Sequence, residues 1–155
     1  MRLYLVQHGE AVPESEDPAR PLSPHGHADV TRLAAFLAAR GPRAERVCHS
    51  GKLRARQTAE ILAGALAPGA LLEEIPGIAP MDPVEDFAAT LAAWDGDSLV
   101  VGHLPFMAHC VAFLTAGDAA AGIVAYEPGT LVCLERDAGA WSIAWMLRPS
   151  LLGKD

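Results

Sequence analysis

Leu3-Tyr4-Leu5-Val6 is a nearly unbroken apolar run closed by Gly9, the pattern of a short strand buried on both faces of a sheet. A polar, proline-containing stretch over residues 13–21 follows. Ser23-Pro24 then reads as a helix cap with proline at the first helical position. Val30, Leu33, Ala34 and Leu37 recur at helical spacing until Gly41-Pro42 stops them. Residues 46–49 predict a second strand, and Leu53, Ile61, Leu62 and Leu66 predict a second helix ending before Pro68. A third strand is expected over 71–75. Asp82-Pro83 opens a helix expected to reach about Trp94, and residues 98–101 form another buried strand ended by Gly102-His103. A helix over about 105–115 follows it. The tail changes character: two apolar runs, 130–135 and 141–147, flank the turn Asp137-Ala138-Gly139, as in a terminal hairpin.

Strands alternating with helices, then a hairpin, predict an α/β three-layer sandwich around a mainly parallel central sheet. Ligands in such folds bind at the carboxyl ends of the strands. Those ends carry His8, His49 and His103.

The chain of 155 residues is 51% hydrophobic, enough for one core and too short for two ordinary ones, so the reading is a single domain over 1–155. A net charge of −7 argues against the broad basic face that nucleic-acid binding needs. No apolar stretch reaches the ~20 residues of a membrane span. The first apolar run is also too short for a signal-peptide core, so the expected location is the cytoplasm. Cys48, Cys110 and Cys133 stand apart among apolar neighbours and read as buried thiols rather than bridges or zinc ligands.

Three local patterns carry chemistry: Gln7-His8-Gly9-Glu10-Ala11 after the first strand, Leu53-Arg54-Ala55-Arg56-Gln57-Thr58 at a helix start, and Val101-Gly102-His103-Leu104-Pro105 after a later strand. Their order, spacing and local structure resemble the histidine phosphatase superfamily. Arg20-Pro21-Leu22-Ser23 before Gly26, together with the short length, is similar to its SixA-type phosphohistidine phosphatase branch rather than to the larger mutases and acid phosphatases. The resemblance covers most of the chain. It implies a phosphoglycerate mutase-like fold and a phosphohydrolase that needs neither metal nor cofactor. The implied substrate is phosphohistidine of a signalling protein of histidine-phosphotransfer type. A small phosphorylated metabolite, or phosphate binding with little turnover, remains the alternative.

On this reading His8 is the nucleophile, because a neutral imidazole attacks well near neutral pH and a phosphorylated nitrogen splits one displacement into two. Gly9 leaves room for the phosphate, and its carbonyl region holds the other ring nitrogen. Arg54 supplies a planar, permanently charged fork for phosphoryl oxygens, and the second histidine, His103, donates a proton to an equatorial oxygen. Close cations disfavour protonation of His8.

Arg20 is expected either at the pocket or in an ion pair with Asp17 or Glu16. Lys52 and Arg56 are expected on a solvated helix face or, alternatively, steering an acidic phosphoprotein surface, and His25, His27 and His109 on a helix surface or in the core. The pattern departs from the family at Gln7, which stands where the family has arginine. An amide can bind a phosphoryl oxygen but brings no charge, which costs about 2–4 kcal/mol at a transition state unless Arg20 compensates. A carboxylate general acid has no clear counterpart, and Glu73, Glu74 and Glu85 qualify only by region.

Overall fold

The computed structural model describes residues 1–153. Its elements run β1 (Arg2–Gln7), α1 (Pro24–Ala38), β2 (Arg46–His49), α2 (Leu53–Leu66), β3 (Leu72–Glu74), α3 (Val84–Leu91), β4 (Ser98–Gly102), α4 (Phe106–Ala116), β5 (Leu131–Asp137) and β6 (Ala140–Leu147). All six strands join one sheet in the order β3-β2-β4-β1-β5-β6. The first four of these neighbours are parallel, while β5 and β6 run antiparallel as the expected hairpin. The turn is made by Ala138 and Gly139, both at positive φ, which matches the twist of the flanking strands.

Period-two alternation divides the strands between two cores. Tyr4, Val6, Val47, Leu99, Val101 and Leu131 meet α1 and α2 on one face. Leu3, Leu5, Val100, Val132 and Leu134 meet α3 and α4 on the other. Three layers result, as the sequence predicts. Cys48 of β2, Cys110 of α4 and Cys133 of β5 are fully buried free thiols, each pushed up to about 12 chiefly by burial.

Helix α1 begins as its sequence dictates: the Ser23 hydroxyl accepts the Gly26 N–H at 3.0 Å, and Pro24 occupies the first turn. The third helix is shorter than expected. It ends at Leu91 because the chain tightens into a turn, Trp94 N–H to Leu91 C=O at 3.0 Å, that sends Trp94 edge-on against Phe87. β3 is likewise trimmed to three residues, a short edge strand that pairs only with β2.

Registers place the strand ends level with one another. Gln7 lies opposite Gly102, and Val101 opposite both Val6 and His49. The residues that follow, His8, Ser50 and His103, therefore share one rim of the sheet. Residues 75–83 connect β3 to α3 beside this rim; Ile78 within that connection is 1% exposed with its carbonyl near Gly102, while Met81 is 82% exposed. No helix of the described residues is long and apolar enough to cross a membrane.

Candidate active site

His8 leaves β1 with its backbone already fixed, its N–H donating to Gly102 C=O at 3.0 Å. Its ring is oriented by its neighbour: Nδ1 lies 2.7 Å from the Gly9 carbonyl oxygen. A carbonyl only accepts, so Nδ1 carries the hydrogen and Nε2 keeps its lone pair. Burial holds this imidazole down at about 4; Arg54 and Arg20 push the same way, against the Gly9 carbonyl. Burial thus outweighs the cations that sequence reasoning credited.

The His103 ring stands 5.0 Å from the His8 ring, centroid to centroid, at 58°. It too is lowered to about 4, by burial first and then by His8, Arg54, Lys52 and Arg20. Both histidines are neutral at pH 7, one suited to attack and the other to donating through a single N–H.

Arg54 sits in the first turn of α2, where unsatisfied backbone N–H groups and the helix dipole favour an anion. Its Nε is buried without a partner among the described residues, and burial and Arg20 lower its affinity for the proton. A part-buried guanidinium whose Nε lacks an acceptor is a cation held ready for one.

Arg20 is not in the expected ion pair with Asp17 or Glu16. Its Nε donates to the Val12 carbonyl at 3.1 Å, and its backbone adopts φ of 47°, a conformation costly for a residue with a side chain. That turn directs the guanidinium toward the histidines, whose protonation it opposes.

A profile of the histidine phosphatase superfamily (branch 1) matches residues 3–82. Phosphohistidine phosphatase SixA of Escherichia coli K12 is 31% identical over 123 residues, covering 76% of each protein. The chain belongs to the histidine phosphatase superfamily. An uncharacterised protein of Picosynechococcus is 35% identical over 144 residues, which cover 83% of this chain and 86% of that protein. Among solved structures, protein histidine phosphatase SixA complexed with tungstate superposes with a TM-score of 0.87 at 27% identity, over 99% of this chain and all of that one. A putative alpha-ribazole-5'-P phosphatase of Escherichia coli superposes at 0.79 with 18% identity, over 96% and 97% of the two chains, and shares the fold.

Within this histidine phosphatase, Gly9 has a packing reason beyond the one expected. A Cβ there would meet Val30 at 2.8 Å and the Gly26 carbonyl at 3.2 Å, so the glycine admits the close approach of helix α1. Gly26 in turn packs on the Glu10 backbone, leaving no space for a side chain. Two residues of the second motif, and the residue after β2, take roles that the sequence did not assign. Thr58 accepts the Gly9 N–H at 3.0 Å while donating to the Arg54 carbonyl at 2.8 Å, joining the loop after β1 to the start of α2. Gln57 accepts the Leu22 N–H at 2.8 Å and so anchors the loop that carries Arg20. Ser50 contacts His103 at 2.6 Å. Their signal lay in the repeated polar positions of Leu53-Arg54-Ala55-Arg56-Gln57-Thr58 and in the residue after β2.

The remaining candidates fall outside the cluster. His49 is buried at the end of β2, where its Nδ1 accepts the Gly51 N–H at 3.0 Å and shapes the turn. The Glu74 carboxylate lies against Gly51, while Glu73 and Glu85 are exposed. His25 faces Asp29 and Glu10, Arg56 pairs with Glu60, and His27 and His109 are exposed. Lys52 is exposed yet close enough to act on His103. Among the described residues no three histidine, cysteine or carboxylate side chains are grouped to hold a metal ion.

Gln7 is only 9% exposed, and its Oε1 is buried with no partner among the described residues. An orphaned acceptor is costly there, so the position tolerates the amide rather than requiring it. Gln7→Arg is expected to raise turnover of a phosphorylated substrate by about tenfold, because it adds a charged bidentate donor beside His8. Steady-state kinetics of both forms check this; an unchanged rate would mean that Arg20 already fills the role.

The depressed values of His8 and His103 also fix a pH response. The unfolded histidines protonate near 6.5 and the folded ones near 4, so between these limits the unfolded chain binds more protons. Stability is therefore expected to fall as pH drops from about 6.5 toward 4. A histidine NMR titration of the free protein should show both rings neutral down to about pH 5, and a midpoint near 6.5 for either ring would contradict the burial argument.

Proposed function

We propose that this chain is a protein-histidine phosphatase that takes the phosphoryl group onto His8 and hands it to water. The observation that carries the proposal is the His8 ring itself, with Nδ1 tied to the Gly9 carbonyl and Nε2 left bare beside Arg54 and Arg20. In the first step Nε2 forms a bond to phosphorus while the bond from phosphorus to the substrate imidazole breaks. The departing imidazole keeps or takes a proton. In the second step water displaces His8, giving inorganic phosphate and the free enzyme. Arg54, Arg20 and the Gln7 amide neutralise or bind the equatorial oxygens, and His103 donates its N–H.

Two features favour phosphohistidine over an ordinary phosphomonoester. The charged groups acting on the histidine pair are Arg54, Arg20 and Lys52, and among the described residues no carboxylate is hydrogen-bonded or ion-paired to either ring, so none is placed there to protonate an alkoxide. An imidazole leaving group, easily protonated by itself, needs no such acid. Lys52, exposed yet close enough to act on His103, also suits an acidic partner of histidine-phosphotransfer type. The similarity to SixA adds weight.

The test is turnover of a phosphohistidine peptide, p-nitrophenyl phosphate and sugar phosphates side by side. The peptide should have the highest kcat/KM. Preference for a sugar phosphate would make the chain a small-molecule phosphatase, and a stable phosphate complex without turnover would make it a binding module.

A further inference from the structure

Ser50 follows β2 directly, and β2 neighbours β4 in the sheet, so Ser50 and His103 emerge side by side. Ser50 Oγ lies 2.6 Å from His103 Nε2 and receives the Lys52 backbone N–H at 3.4 Å. A neutral imidazole has one N–H, and a serine hydroxyl has one hydrogen and two lone pairs. Were the imidazole proton on Nε2, Ser50 would accept twice, and its own hydrogen would have no acceptor among the described residues. With Nε2 bare, the hydroxyl hydrogen enters the Nε2 lone pair, the Lys52 N–H takes an oxygen lone pair, and the one donor left over is the Nδ1–H of His103 itself. His103 Nδ1 makes no hydrogen bond within the described residues.

We propose that Ser50 is a positioning residue: it donates to Nε2 of His103, holds the imidazole proton on Nδ1, and so leaves Nδ1–H as the ring's donor to a phosphoryl oxygen. The catalytic use of that donor rests on the phosphatase reading given above; the proton's location does not. Because the hydroxyl also fixes the ring plane, the donor is oriented before substrate arrives, which lowers the cost of reorganisation during transfer.

The tautomer is read directly by long-range proton–nitrogen correlation spectra of the histidine rings at pH 7, with His103→Gln used to assign the signals. Wild type is expected to show His103 protonated on Nδ1. Ser50→Ala should move the proton toward Nε2, and Ser50→Thr, which keeps the hydroxyl, should restore it. With p-nitrophenyl phosphate as probe, Ser50→Ala should lose about 10- to 100-fold in kcat with KM little changed, and Ser50→Thr should recover most of the loss. A wild-type His103 protonated on Nε2, or an Ser50→Ala variant that keeps the wild-type tautomer and kcat, would overturn the proposal. If wild type hydrolysed no phosphorylated probe, the phosphatase reading would fall while the spectra still decided the role of Ser50.

Discussion

His8→Ala should abolish turnover while leaving the protein folded, with a loss on the order of 10⁴- to 10⁶-fold, as expected when the group that forms the covalent intermediate is removed. The substitution deletes one short-range hydrogen bond, Nδ1–H to the Gly9 carbonyl, from a side chain at a strand end rather than in either core. A lost bond of that kind costs about 1 kcal/mol, which shifts the melting temperature of a chain this size by roughly 2–4 °C. Phosphate release and a thermal melt, measured on the same preparation, check both halves. Brief exposure of wild type to labelled phosphohistidine peptide followed by acid-free quenching should also capture label that His8→Ala does not retain. Turnover by a folded variant at more than about one per cent of wild type would show that another group carries the phosphoryl.

Arg54→Ala has the second largest expected effect, a loss of roughly 10²- to 10³-fold in kcat/KM, because it removes the charged fork at the helix start. Its effect on stability should have the opposite sign. The Arg54 guanidinium is partly buried, leaves Nε without an acceptor, and stands against Arg20. Substrate supplies what the free protein lacks, so alanine should leave the melting temperature unchanged or raise it. Arg54→Lys should recover only part of the activity, since an ammonium keeps the charge but loses the bidentate geometry. A variant both inactive and strongly destabilised would point instead to a structural role for Arg54.

Much of this arrangement was legible from residue pattern because buried parallel strands announce themselves. Leu3-Tyr4-Leu5-Val6 and Leu99-Val100-Val101 have no polar side to disguise them, and each ends where a histidine begins. The helix starts at Ser23-Pro24 and around Leu53 were equally plain, for capping and apolar periodicity are local properties. What escaped depended on packing between distant segments. That Gly9 accommodates Val30 requires knowing that α1 crosses the loop after β1. That Arg20 turns away from Asp17 and Glu16 requires its positive φ, which no neighbouring residue signals. The role of Ser50 depends on β4 lying beside β2, which the residue itself does not signal. The end of α3 shifted because Trp94, apolar and in phase with the helix, is buried by a turn instead.

The three cysteines give the molecule internal clocks for its own opening. Thiol reagents attack the thiolate, and at neutral pH these buried groups expose neither a thiolate nor a surface. Labelling must wait for the chain to open. Cys133 packs in the core beneath α1 and α2, while Cys48 and Cys110 pack in the core beneath α3 and α4. If the sheet parts from both helical layers in a single event, all three sites are modified at one common rate. If one layer lifts first, the cysteines on that face react ahead of the other, and the order of modification names the layer.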